Sequence, residues 1–213
     1  MAASPPCVPW TLACGFDYLA RSWLTGPFLI DDSARTTWIA ELAKLDADLA
    51  RRASALLRII EQPTELDAAN SEFQACVKIP VPGRYVPPYA SVHIDEPSSL
   101  WGPTTDRIMS LYAAHGLEWM GQTPRYPWVR APDHLGVECA FAGEMWATAY
   151  EEQPVEKDTA RPLIAEHLLR WVPRYCAELA ETTSCSYWES MTGFLEAFVL
   201  TNASITQVLG SFI

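Results

Sequence analysis

The chain lacks the short motifs with which many enzymes bind phosphates or metals. It contains neither a Gly-x-x-x-x-Gly-Lys-(Ser/Thr) nor a Gly-x-Gly-x-x-Gly sequence, so it has no recognisable phosphate-binding loop. Its six cysteines include no Cys-x-x-Cys pair, and most fall within apolar helical patterns, where a thiol packs as a small hydrophobic group. We therefore expect no disulfide framework, no metal site and no cofactor.

Basic residues and long apolar runs are also scarce. The sequence has 15 lysines and arginines against 26 acidic residues, a formal net charge of -11. Because this charge repels phosphate backbones and anionic membrane surfaces, we expect no nucleic-acid partner and a preference for basic peptides. No apolar run approaches the roughly 18 residues of a membrane span, and no basic residue precedes Arg21. These features predict a cytoplasmic protein without stable membrane insertion.

Helical periodicity is the dominant pattern in what remains. Apolar residues recur at three- and four-residue steps, and no strand-like alternation is present. The clearest stretch, residues 34–60, predicts one amphipathic helix that ends before Pro63. The other predicted helices span residues 12–24, 65–77, 103–116, 132–151, 161–181 and 187–209. The apolar content of 49% is enough for a substantial core, so we predict an all-α fold.

A proline-rich segment divides these helices. Six prolines lie between residues 80 and 103, where they remove backbone donors and fix φ, so neither a continuous helix nor a central strand is expected. We predict a helical bundle of two closely packed subdomains, residues 1–79 and 103–213, joined by a proline-rich hinge at residues 80–102.

Two short sequences carry the functional signal. The first is Pro-Pro-Tyr-Ala-Ser-Val-His-Ile-Asp at residues 87–95, whose prolines favour an extended backbone suited to docking another extended chain. The second is Pro-Asp-His at residues 132–134, where free N–H groups at a helix start can form a polar rim. From spacing alone, a structural linker is an equally good interpretation of the first sequence, and an ordinary helix start is the better interpretation of the second.

Together the two sequences resemble the TorD/DmsD/NarJ family of redox-enzyme maturation chaperones, which share a Pro-Pro-(aromatic)-x-Ser-Val-x-(Leu/Ile)-Asp hinge and a later Pro-(Asp/Glu)-His signature. The resemblance implies an all-helical protein that is not an enzyme. It would bind the twin-arginine leader of a molybdenum-cofactor oxidoreductase subunit and assist its cofactor loading before export. The resemblance places the leader site at Pro88, Tyr89, His93, Gly102, Asp133 and His134.

We expect stoichiometric binding of the apo-molybdoenzyme through this leader. Its apolar part would lie on aromatic surface near the hinge, and its arginines would meet acids such as Asp95, Glu96 and Asp133. An aromatic loop at residues 122–130 would influence which client is accepted. The family includes monomers and exchanged dimers, and both states stay open for this chain.

Two other functions are compatible with the residues alone. A helical adaptor would bind another protein independently of any leader. A metal-dependent hydrolase would use His134 and Glu138, which are one helical turn apart, and would carry bound metal after purification.

Overall fold

The computed structural model describes residues 7–117, 126–151 and 162–210, and this part of the chain is all-α. It contains nine α-helices and no strand: α1 (Val8–Thr25), α2 (Asp32–Leu45), α3 (Ala47–Ile60), α4 (Pro63–Glu72), α5 (Ala90–Ile94), α6 (Pro103–Ala114), α7 (Leu135–Glu151), α8 (Leu169–Thr182) and α9 (Ser186–Gly210). Two π-helical segments, Phe73–Lys78 and Pro162–Leu168, follow α4 and precede α8. The fold class predicted from the sequence is confirmed.

The single helix predicted over residues 34–60 is wrong, because the chain breaks at Asp46 into α2 and α3. Asp46 has an extended backbone, with φ at -154° and ψ at 112°. Its carboxylate accepts the N–H groups of Asp48 and Leu49, at 2.8 and 3.1 Å. Aspartate favours this N-cap position because its side chain replaces the helical partners that the first N–H groups lack.

Loss of this cap has a measurable cost. We expect Asp46→Ala to lower the free energy of unfolding by about 1 kcal/mol, the usual value for an N-cap. The measurement is urea unfolding followed by circular dichroism. Asp67→Ala is the matched control, because Asp67 is exposed inside α4 and caps no helix; equal losses in the two variants would contradict the capping role.

The core is continuous across the chain. The α1 helix packs along α7 and also contacts α2 and α9, and Trp23 reaches α8 through Tyr175. Trp23 of α1 meets Trp188 of α9 edge to face, with ring centroids 5.4 Å apart, and its indole N–H donates to the Tyr175 hydroxyl at 2.8 Å. One buried hydrophobic cluster contains residues from both proposed subdomains. The division into subdomains stays a prediction.

The proline-rich segment is tied to the helices near its start and in its middle. Near its start, the Arg84 guanidinium donates to Glu72 at 2.6 Å, and the Val86 N–H donates to the Cys76 carbonyl at 2.8 Å. In its middle it forms the short helix α5, which packs on α8. These ties fix the path of the segment over the helices, beside the start of α7.

Candidate functional site

The proline-rich segment and the turn before α7 are joined by their backbones. Tyr89 and His134 form an isolated antiparallel bridge. On one side of it, the Ala90 N–H donates to the Asp133 carbonyl at 3.0 Å. On the other side, the Pro88 carbonyl accepts the first N–H of α7 at 2.8 Å. The two sequences that carry the functional signal therefore lie side by side.

Asp133 strengthens this junction with its side chain. Its Oδ2 accepts the Ser91 N–H at 2.8 Å, while no described residue hydrogen-bonds its Oδ1, and the residue is fully buried. The predicted helix start at Pro132 is wrong, because α7 begins at Leu135. Asp133 therefore precedes the first turn of α7 and holds the neighbouring segment instead of capping the helix.

His134 is enclosed between two aromatic rings. Its centroid lies 5.1 Å from that of Tyr89 and 4.9 Å from that of Trp128, both edge to face. The Gly136 N–H donates to its Nδ1 at 3.1 Å, so the neutral ring carries its proton on Nε2. Complete burial lowers the pKa of His134 to about 3. The imidazole is therefore uncharged near neutral pH.

His93 connects the proline-rich segment to α8. Its Nε2 donates to the Pro87 carbonyl at 2.8 Å, and its ring stacks on Trp171 with centroids 5.6 Å apart and an interplanar angle of 19°. Burial lowers the pKa of His93 below its ordinary value. This imidazole acts as a packed connector between the two elements.

Gly102 leaves room for the Asp95 carboxylate, which accepts hydrogen bonds from the first turn of α6. A Cβ on Gly102 would lie 2.2 Å from Asp95 Oδ2. That carboxylate accepts the Thr104 N–H at 3.0 Å and the Thr104 hydroxyl at 2.6 Å. Asp95 is thus engaged inside the protein, so of the three acids expected to meet a leader only Glu96 is exposed.

A groove of about 570 Å³ opens beside this junction. We call it the proline groove; it is lined by Pro80, Tyr85, Pro87, Tyr89, Val92, Leu100, Trp101 and Arg130. Trp101 has 53% of its surface exposed and a left-handed backbone, with φ at +64°. An exposed tryptophan in this conformation is unusual, since a bulky side chain there is strained.

A family model described as Nitrate reductase delta subunit matches residues 42–177, more than half of the chain. The chain belongs to this family. The family comprises redox-enzyme maturation proteins, which are chaperones for molybdoenzyme assembly and not enzymes. The resemblance to the TorD/DmsD/NarJ chaperones is therefore confirmed. No curated protein matches the chain.

The nitrate reductase delta match includes both halves of the junction and the whole proline groove. The six residues assigned from the resemblance are all buried: Pro88, Tyr89, His93, Gly102, Asp133 and His134. Four of them meet at the backbone bridge, His93 faces α8, and Gly102 precedes α6. Only Tyr89 also lines the groove, so the other five build the surrounding frame.

Sequence reasoning missed the residues that the groove exposes most. Leu100 and Trp101 form its open apolar edge, and Arg130 and Tyr85 add polar groups. The available signal was the pair of large apolar residues just before a Gly-Pro helix start. Of the predicted aromatic loop at residues 122–130, the part before Tyr126 lies outside the described residues.

The residues of the hydrolase alternative are engaged in other contacts. The Glu138 Oε1 accepts from His167 Nε2 at 2.8 Å, and burial raises the pKa of this carboxyl group. Over residues 7–117, 126–151 and 162–210, no three His, Cys, Asp or Glu side chains are grouped to hold a metal ion. Within the same ranges, no helix is both long and apolar enough to pass through a bilayer.

The buried imidazole of His134 makes stability depend on pH. Its folded pKa of about 3 lies below the unfolded value of 6.5, so the unfolded state binds more protons and acid destabilises the fold. His134 therefore does not reduce the unfolding free energy above pH 6.5, and it reduces this free energy progressively as the pH falls from 6.5 towards 3. Between pH 7 and pH 5 we expect wild type to lose about 2 kcal/mol more unfolding free energy than His134→Gln.

Urea unfolding at the two pH values measures this difference. Glutamine keeps an acceptor for the Gly136 N–H, and the other buried titratable groups are present in both proteins and cancel in the comparison. Parallel pH profiles for wild type and variant would show that His134 does not titrate in this range.

Proposed function

We propose that this chain binds the twin-arginine leader of a molybdenum-cofactor oxidoreductase subunit in the proline groove. Bound in the cytoplasm, the leader would be withheld from export while the subunit receives its cofactor. The observation that carries the proposal is an exposed apolar groove at the junction of the two family sequences. A chaperone of molybdoenzyme assembly needs such a surface for a client segment, and this one lies within the matched region.

The shape of the groove suits an extended apolar segment. Its prolines hold the wall in a preset conformation, so little entropy is lost when a peptide docks. Trp101 and Leu100 present large apolar surface at the edge, and aromatic anchors of this kind supply most of the energy at peptide-binding sites. The strained backbone at Trp101 does not bury the side chain, so the strain brings no gain in core packing. Strain of this kind clusters at functional sites, which supports a role for Trp101 in binding.

The proposal gives the six residues from the resemblance a positioning role. The backbone bridge between Tyr89 and His134 and the bond from Ser91 to Asp133 hold the wall against the start of α7. Because these six residues are buried, they would affect leader binding by holding the groove in shape and not by contacting the leader. The leader itself would contact the exposed edge formed by Leu100 and Trp101.

Charge would set the direction of the leader. Arg130 lines the groove and repels a leader's arginines, whereas Glu96 is exposed in the loop that leads to Trp101. We therefore place the basic end of the leader towards Glu96 and its apolar part towards Tyr85. The net charge of -11 would accelerate encounter with a basic leader, an effect that salt weakens.

The direct test is titration of a fluorescently labelled twin-arginine leader, taken from an oxidoreductase encoded beside this gene. We expect saturable binding with a dissociation constant in the micromolar range or tighter, while a scrambled leader of equal composition binds much more weakly. Absence of saturation at about 100 μM would contradict the proposal.

A further inference from the structure

One carboxylate near the start of the proline-rich segment collects hydrogen bonds from separate parts of the chain. Glu72 is the last residue of α4, and its side chain is only 13% exposed. It accepts the Arg84 guanidinium at 2.6 Å, the Thr183 hydroxyl at 3.1 Å and the Ser184 N–H at 3.4 Å. The Cys76 thiol donates to it at 3.3 Å. Glu72 therefore joins the end of α4 to the proline-rich segment and to the turn between α8 and α9.

These hydrogen bonds keep the Glu72 carboxyl group ionised. Burial alone would raise its pKa, but the hydrogen bonds from Arg84 and the other partners outweigh burial and hold the pKa below its ordinary value. Glu72 is therefore charged near neutral pH. Its bond with the Arg84 guanidinium joins two charged groups, and such a bond is stronger than one between neutral groups.

Arg84 anchors an exposed turn of the chain. Residues 79–83 are all exposed, so they contribute little buried surface that would hold them in place. Pro80 in this stretch and Tyr85 just after it both line the proline groove. The position of this groove wall therefore depends on the bond between Arg84 and Glu72.

The same guanidinium lies against the Cys76 thiol. Arg84 Nη2 is 3.5 Å from Cys76 Sγ, and this cysteine is buried. Arg84 itself has 41% of its side-chain surface open to solvent. Because Arg84 separates the thiol from solvent, the rate at which a reagent reaches Cys76 reports how often the Arg84 side chain moves away.

We propose that Glu72 and Arg84 form a latch that sets the shape of the proline groove. With the latch closed, the exposed turn is held in place and Pro80 and Tyr85 form one wall of the groove. With the latch open, the turn moves away, the wall is lost and Cys76 is uncovered. Glu72 is a positioning residue, since it acts through Arg84. The opening itself needs no ligand, and only its effect on leader affinity rests on the proposed function.

Alkylation of Cys76 by N-ethylmaleimide, followed by mass spectrometry of each cysteine-containing peptide, measures the opening. Arg84→Gln removes the ion pair, and we expect it to accelerate the labelling of Cys76 about tenfold. The direction is decisive. Burial raises the pKa of Cys76 and Arg84 opposes that rise, so loss of Arg84 without movement of the turn would slow the labelling. Arg84→Lys keeps a cation for the single bond to Glu72 and should label within about twofold of wild type.

Controls separate the latch from a general loss of structure. Cys139 is fully buried on α7 and becomes labelled when the core opens, so it should stay unlabelled in every variant. Arg51→Gln removes an exposed ion pair with Asp48 on α3 and should leave the labelling of Cys76 unchanged. Raising the salt concentration from about 0.05 to 1 M should accelerate Cys76 labelling in wild type but not in Arg84→Gln, because salt screens only the intact pair.

Leader titration with the same variants shows whether the latch shapes the groove. Arg84→Gln should weaken leader binding about tenfold, although loss of a positive charge alone would favour a basic leader, and Arg84→Lys should bind within about twofold of wild type. Cys76 labelling in Arg84→Gln that is equal to wild type or slower would overturn the latch. Faster labelling with unchanged leader affinity would overturn its role in shaping the groove. If the wild-type chain does not bind the leader, the proposed function fails, while the labelling still decides whether the latch exists.

Discussion

Trp171→Ala is expected to lower the free energy of unfolding by about 3–5 kcal/mol, the usual cost of removing a large buried aromatic side chain. Trp171 is fully buried on α8. Its ring stacks on His93 and lies 5.7 Å from that of Tyr175. The alanine variant loses these contacts and leaves a cavity under the proline-rich segment, which the surrounding helices can fill only in part.

Urea unfolding with a circular dichroism signal measures the effect. The control is Arg170→Ala, which changes the exposed neighbour of Trp171 on the same helix and should alter stability by no more than about 0.5 kcal/mol. Trp171→Phe keeps an aromatic ring beside His93 and should cost clearly less than alanine. A loss below about 1 kcal/mol in Trp171→Ala would show that α5 does not depend on this contact.

Trp101→Ala is expected to weaken leader binding about 30-fold, which corresponds to about 2 kcal/mol for a central aromatic anchor. The same change should leave the free energy of unfolding unchanged or slightly higher, because the side chain is half exposed and its backbone is strained. Leader titration and urea unfolding on the same samples separate the two effects.

The matched control for Trp101 is Leu200→Ala on α9. Leu200 is 57% exposed and lies outside the proline groove, so its removal takes away comparable exposed apolar surface without touching the site. It should leave leader affinity unchanged. Equal affinities for Trp101→Ala and wild type would remove Trp101 from the binding surface.

The helices were largely predictable because their apolar periodicity is strong. The break at Asp46 was not, since the apolar steps continue from Leu42 through Leu45 to Leu49 as if the helix were unbroken. The start of α7 was misplaced for a related reason. Proline at position 132 suits a first helical turn, but here the backbone of Asp133 pairs with the proline-rich segment instead.

For the candidate site, the sequence indicated the location but not which side chains are exposed there. The two family sequences do lie side by side, yet Asp133 and His134 are buried and the open surface belongs to Leu100 and Trp101. Burial of the polar pair Asp133 and His134 depends on partners distant in sequence, such as Ser91 and Tyr89. Local sequence patterns carry no information about such partners. The sequence alone therefore could not show which of these residues are buried around the proline groove and which are exposed in it.

Leader binding in the proline groove is tested most directly by photo-crosslinking. A twin-arginine leader carries a reactive group in its apolar part, and the wild-type chain is then analysed by mass spectrometry. We expect the adducts on Tyr85, Leu100 and Trp101, and their loss when unlabelled leader competes. Adducts confined to residues outside this groove, or spread over the surface without competition, would contradict leader binding in the proline groove.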